Sequence, residues 1–369
     1  MNMVYMKLGD ICSPKQWKTI STSELTSEGY PVYGANGIIG YYKEYNHIKE
    51  TILVTCRGAT CGSVNITRPY SYVNGNAMAL DNLDERFDIN YLYFYLSYRG
   101  FNDVISGSAQ PQIIRSAIEK ILIPLYPIEQ QRKIASLFIK INNIHDLYRK
   151  ENDRLDELIK SRFVEMFGSL NNNENCFDVL SIEEVCTLIK DGTHQTPIYT
   201  EDKQNGFKFL SSKDVMTQRI CWDEIKYIPA KLHEKLYAAI QPKRNDILMS
   251  KNGVNYGVAA VNDTNEIFDI YVSLALLRPK TNKVNPMYLR CAINNPDTKH
   301  QFDASIKGVG VPNLHLGEIK KTKILVPPME MQNTFVEFIT QVDKLKSAVQ
   351  ESLDKTQQLF DSLMQEYFG

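Results

Sequence analysis

A chain of 369 residues is long enough for two domains at roughly 100–200 residues each. With 42 Lys+Arg against 43 Asp+Glu and 43% hydrophobic residues, the composition is globular, and too evenly charged for a protein that binds nucleic acid by bulk positive charge. Seven cysteines without a CxxC pair exclude a disulfide framework or a common zinc site; no apolar run nears the ~18 residues of a membrane span and no secretion signal opens the chain, so a cytoplasmic location is expected.

Residues 1–126 read as a mixed α/β module. Short β-type runs at 51–56 and 73–80 are bounded by turn residues, and a helix is predicted near 90–98. The glycine-dense GANGIIGYY (34–42) predicts a tight turn; it lacks the Gly-Lys-Ser/Thr ending of a phosphate loop. Residues 127–174 hold a long helix and a linker. No proline or glycine occurs between Pro127 and Gly168, the punctuation expected of helix ends. Apolar residues recur at Ile134, Leu137, Ile141, Ile144 and Tyr148, then at Leu155 and Leu158, and these steps of three and four predict a coiled-coil seam. Residues 175–326 return to the mixed pattern, with β-type runs at 246–250 and 271–277 and a helix near 286–293. Residues 327–369 predict a second long helix, its seam at Phe335, Phe338, Val342, Leu345, Val349 and Leu359.

The chain repeats itself. Residues 111–168 superpose on 312–369 at a constant shift of 201 without a gap, with identities that include Pro111/Pro312, Ile123/Ile324, Gln131/Gln332, Glu165/Glu366 and Gly168/Gly369. Before that, Gly58 and Gly62 match Gly253 and Gly257 at 195, and Tyr91-Leu92 matches Tyr288-Leu289 at 197; the drift places insertions in loops on a fixed scaffold. The order is module, helix, module, helix. Each rod of about 40 residues spans roughly 60 Å and needs a partner, and the other rod is the economical one.

Catalytic patterns fail one by one. The only Pro-Pro, Pro327-Pro328, follows Val326 and opens a helix, so the base-clamping motif of a nucleic-acid methyltransferase is missing. Asp297, Glu318 and Lys320 could be imagined as an Mg-dependent nuclease set, but the repeat places Ala117 and Glu119 at the last two positions. The six histidines show no metal-ligand spacing. No catalytic or metal-binding residue is expected; a protein-binding scaffold and a stand-alone Mg-dependent nuclease using Asp297, Glu318 and Lys320 are kept as alternative readings.

The junctions GSAQPQIIRSAIEKILIPLYPIEQQRKIA (107–135) and GVGVPNLHLGEIKKTKILVPPMEMQ (308–332), with DGTHQTP (191–197), PVYGANGIIGY and RGATCGSVN, resemble the specificity subunit of type I restriction-modification systems over the whole chain. That resemblance implies an α+β fold: two mixed α/β target-recognition domains in tandem repeat, separated by two long helices that pair as an antiparallel coiled coil. It implies a non-catalytic subunit that reads a bipartite DNA target, with half-sites about one helical turn (~34 Å) apart. Its implied partners are double-stranded DNA, two modification subunits carrying S-adenosylmethionine, and restriction subunits using ATP and Mg. The chain itself would hold no cofactor.

Reading base edges takes Arg, Asn or Gln amides and small apolar contacts, with phosphates held by Lys, Arg, Ser or Thr. Candidates in the first module are Arg57 and Thr60 in the RGATCG turn, Asn74, Asn76 and Gln110. In the second they are Thr193 and His194 of DGTHQTP, Lys251, Asn252, Asn255 and Tyr256 around NGVNYG, and Lys307.

Overall fold

The computed structural model describes residues 4–107, 110–306 and 312–369. It divides into two units, the first made of Met1–Lys150 with Gln350–Gly369 and the second of Glu151–Val349.

Both units are assembled from the same parts. In the first, strands Ser13–Gln16, Ala77–Asp81, Ile52–Thr55 and Val64–Ile66 form an antiparallel sheet in that order; in the second, Cys186–Asp191, Leu274–Pro279, Ile247–Ser250 and Ala259–Val261 do the same. Ile52–Thr55 and Ile247–Ser250 are buried at every position, which explains why they read as continuous apolar runs and not as alternating strands. A three-stranded sheet joins each: Gly37–Tyr42, Tyr30–Gly34 and Tyr72–Val73 in the first unit, Lys226–Pro229, Gly206–Leu210 and Phe268–Ile270 in the second. A two-stranded ribbon, Tyr5–Lys7 with Leu122–Pro124 or Asp178–Ser181 with Lys323–Val326, closes each module onto its own long helix.

The helix Ile89–Arg99 and its counterpart Pro286–Ile293 share one buried anchor. Tyr91 and Tyr288 are fully buried, and their hydroxyls donate to the carbonyls of Pro124 (2.9 Å) and Leu325 (2.8 Å), which are themselves repeat partners. The glutamine repeated at the start of each long helix is a second shared device. Gln131 accepts the Asp88 amide proton (2.9 Å) and donates to the carbonyls of Arg86 and Tyr126 (both 2.8 Å). Gln332 does the same with Asn285, Lys283 and Pro327.

The long helices run Ile128–Phe167 and Met329–Phe368. Within the first unit, Phe138 stacks on Phe368 (5.7 Å) and meets Phe360 (5.2 Å), and the His145 ring lies 6.3 Å from Phe360. Within the second, Phe167 meets Phe335 (5.3 Å) and Asp156 bonds Lys346 (2.6 Å). In both, rising numbers on one helix meet falling numbers on the other: the pairing is antiparallel.

The seam differs from the expected one in every second layer. Ile134, Ile141 and Leu155 are buried, as are Phe335 and Val342, and Val349 is half-buried. The intervening layers, however, are Phe138, His145, Asn152 and Ile159, with Ile339, Lys346, Leu353 and Phe360 at the shift of 201. The expected Ile144 (40% exposed), Leu158 (46%), Leu345 (56%) and Leu359 (51%) are corrected: they stand one residue out of the seam, and Leu137 and Phe338 are half-buried beside it. One residue is a rotation of about 100°, so these positions form a flanking stripe; in an antiparallel pair the stripes of both helices fall on the same side. No helix among the described residues is long and apolar enough to cross a membrane.

Candidate nucleic-acid interface

In each unit the buried central strand runs into a glycine-hinged turn. Gly58 (φ 92°) and Gly62 (φ 93°) in the first, and Gly253 (φ 88°) and Gly257 (φ 87°) in the second, occupy the left-handed region that a side chain would strain. The turn is clipped to the segment just before the long helix. The Gly58 amide donates to the Pro111 carbonyl (3.3 Å) and Ile113 to Cys56 (3.1 Å); Gly253 donates to Pro312 (3.0 Å) and Leu314 to Lys251 (2.8 Å). Two sequence motifs far apart in the chain, the glycine turn and the Pro-Gln/Asn, therefore form one surface, with bridges Arg57–Gln112 and Asn252–Asn313.

On that surface in the first unit, Arg57, Asn76 and Gln112 are exposed, and so is Gln110. Half-buried Thr60 donates to the Asn36 side chain (2.6 Å), and Asn36 is the exposed tip of the hairpin Tyr30–Gly34/Gly37–Tyr42. Asn74 is corrected: it is 3% exposed, and its amide bonds the Ile20 backbone in both directions (3.2 Å each), so it braces the module from inside.

In the second unit, Asn252 and Thr193 are half-buried, and Asn255, His194 and Asn313 are exposed, with Val254 standing 84% exposed at the tip of the turn. Lys251 is corrected as well. Its side chain is 6% exposed and its Nζ lies 2.6 Å from Asp191 Oδ2, which also faces His194 Nε2 at 3.5 Å. A buried, paired ammonium fixes the turn to the edge strand and leaves no charge for a phosphate. Its counterpart in the first unit is Cys56, a thiol pushed up by burial despite a hydrogen bond from Gln16 (2.9 Å), so the first unit makes the same tie without charge. Tyr256 is held by Asp303 at its hydroxyl and by Lys299 over its ring (3.6 Å), and the hydrogen bonds from Lys299 and Tyr256 keep the Asp303 carboxyl below its usual range. Lys307 lies outside the described residues.

Asn36, Gln112, Asn313 and Val254 were not foreseen. Asn36-Gly37 had a readable signal, a hairpin dipeptide between β-type runs; Gln112 and Asn313 become neighbours of the turn only through tertiary pairing. The first unit's surface offers amides, a hydroxyl and a guanidinium, and the second's offers amides, a hydroxyl, an imidazole and an isopropyl group, side chains suited to reading base edges. The residues imagined for a nuclease are engaged elsewhere: Asp297 accepts the Leu170 amide proton (2.8 Å), Lys320 pairs with Glu183 (2.9 Å) and Glu318 with Lys321 (3.4 Å). No cluster of His, Cys, Asp or Glu fit for a metal occurs among the described residues.

The family described as type I restriction modification DNA specificity domain matches residues 1–157 and 175–356, one match for each module with most of its helix. The chain belongs to this family. A type I restriction enzyme specificity subunit (MjaVIII) of Methanocaldococcus jannaschii is 21% identical over 337 residues, 86% of this chain and 78% of that one. A putative type I restriction enzyme specificity subunit of Haemophilus influenzae is 22% identical over 354 residues, 91% and 86% of the two chains. The crystal structure of the S subunit from M. genitalium superposes with a TM-score of 0.57 at 17% identity, covering 100% of this chain and 96% of that one, and so shares the fold. A chain from a structural study of type I complex assembly gives 0.58 at 17% identity, covering 99% and 97%. As a specificity subunit, the protein recognises the DNA target, and catalysis lies on partner subunits.

Proposed function

We propose that this specificity subunit reads a bipartite duplex target, each unit taking one half through its glycine-hinged turn, in the cytoplasm. The observation that carries the reading is the repeat-equivalent clip, which presents Arg57 with Gln112 in one unit and Asn252 with Asn313 in the other. Arg57, Gln112, Asn76, Thr60, Asn36 and Gln110 contact the first half; Asn252, Asn255, Asn313, Thr193, His194 and Val254 contact the second, Val254 against a thymine methyl. The helices that follow modules 1–126 and 175–326 set the spacer.

Two modification subunits dock on the flanking stripe. Ile144 and Leu359 expose an apolar pair in the first unit, and Leu345 and Leu158, their repeat counterparts, expose the same pair in the second; two equivalent patches fit two copies of one partner. S-adenosylmethionine belongs to those subunits, and ATP with Mg to restriction subunits that join them.

The test is DNA affinity of the full chain assembled with modification subunits, by fluorescence anisotropy at fixed salt. Arg57→Ala and Asn313→Ala should each weaken binding about 5- to 150-fold, from about 1–3 kcal/mol per bidentate base contact, and each should relax discrimination in one half only. Unchanged affinity and discrimination in both variants would overturn the reading.

A further inference from the structure

Beside the long helices, the two units differ in a way that their shared fold does not require. In the first, Phe94 packs on Phe138 (5.1 Å) and Phe360 (6.5 Å), and the Tyr98 hydroxyl bonds Gln365 (2.5 Å). The Tyr91/Tyr288 pairing sets the register of this helix at 197, so the counterparts of Tyr93, Phe94 and Tyr98 are Arg290, Cys291 and Asn295; those of Phe138 and Phe360, at 201, are Ile339 and Ile159. Three phenylalanines become a cysteine and two isoleucines, and two tyrosines become an arginine and an asparagine. A cleft of about 850 Å³, lined by Ile159, Phe163, Met216, Arg290 and Cys291 among others, lies where the first unit is filled with rings. That volume is within the roughly 300–1,000 Å³ of small-molecule sites.

Charge singles out one group in the cleft. Lys346 is bonded to Asp156 (2.6 Å), Arg219 to Asp343 (2.6 Å) and Lys160 to Glu157 (2.7 Å). Arg290 is 7% exposed and lies in the field of the Asp343 and Asp156 carboxylates, both already bonded to other cations; its Nη2 donates only to the Cys291 sulfur (3.5 Å), a weak acceptor, and its Nε has no hydrogen-bond partner. Those carboxylates act at a distance and leave a buried guanidinium N–H without an acceptor, a cost that an oxyanion taking two of its N–H groups at once removes.

We propose that this cleft binds a small organic anion, with its carboxylate or phosphate on the Arg290 guanidinium and its apolar body against Ile159, Phe163 and Met216. The site exists in one unit only, so it takes one ligand per chain. Isothermal titration of the full chain with benzoate, phenyl phosphate and inorganic phosphate tests it. Saturable 1:1 binding of benzoate or phenyl phosphate is expected, at least tenfold weaker in Arg290→Met and lost in Cys291→Phe, which restores the first unit's residue and fills the cleft. Circular dichroism checks that both variants fold, and Cys291→Phe decides alone if Arg290→Met does not. The proposal is overturned if neither organic anion binds, if inorganic phosphate binds as tightly as phenyl phosphate, or if the folded variants bind as well as the parent.

Discussion

Leucine in place of Gln332 removes three hydrogen bonds at nearly constant side-chain size. The glutamine is fully buried, with the Asn285 amide at 2.8 Å and the carbonyls of Lys283 and Pro327 at 3.1 and 2.8 Å. The variant leaves one backbone N–H and two carbonyls short of a partner, at about 1–3 kcal/mol for each buried unsatisfied group, the carbonyls at the lower end because each has a second lone pair. A loss of about 3–5 kcal/mol is therefore expected. Gln131→Leu should cost the same, since its three partners lie at 2.8 to 2.9 Å. Urea titration followed by hydrogen exchange at the Asp88 and Asn285 amides separates the units: each variant should expose the amide of its own unit and spare the other. A loss below about 1 kcal/mol in either variant would refute the idea that this glutamine locks module to helix.

Phe138→Ala, at a fully buried ring in the corrected seam, should lower stability by about 3–5 kcal/mol. Leu158→Ala and Leu359→Ala should change it by no more than about 0.5 kcal/mol while weakening co-purification with modification subunits; equal destabilisation at all three positions would contradict the seam. Hydrogen bonds from the Ser181 hydroxyl and amide, then Lys323, hold the Glu184 carboxyl at about 2, below its ordinary 4.5. A lowered folded value stabilises fully above the unfolded value, and the stabilisation is lost as pH falls through the folded one. Ser181→Ala should therefore destabilise most above about pH 4.5, with its effect shrinking toward about pH 2; a pH-independent effect in denaturant titrations would count against the capping pair.

Long helices were legible because Pro127, Gly168, Pro328 and Gly369 bracket uninterrupted periodic runs. Their seam was only half legible. At each second layer the chain offers two neighbours, Ile144 beside His145 or Leu345 beside Lys346, and apolarity favours the wrong one. Periodicity reports that a face is apolar but not which partner covers it, and these helices carry two adjacent faces. The same limit applies to the interface. Asn74 and Lys251 have the chemistry of DNA contacts and sit beside turns, but only the folded chain brings Ile20 and Asp191 to them. The glycines of RGATCG and NGVNYG were readable as a repeat because their positive φ is a local demand.

The most direct measurement replaces residues 1–126 with the recognition module of another specificity subunit, co-expresses the chimera with modification subunits, and maps methylated adenines across the host genome. One half of a bipartite motif should change while the other half and the spacer persist. A motif altered in both halves, or an uninterrupted one, would contradict the assignment of one half-site to each unit.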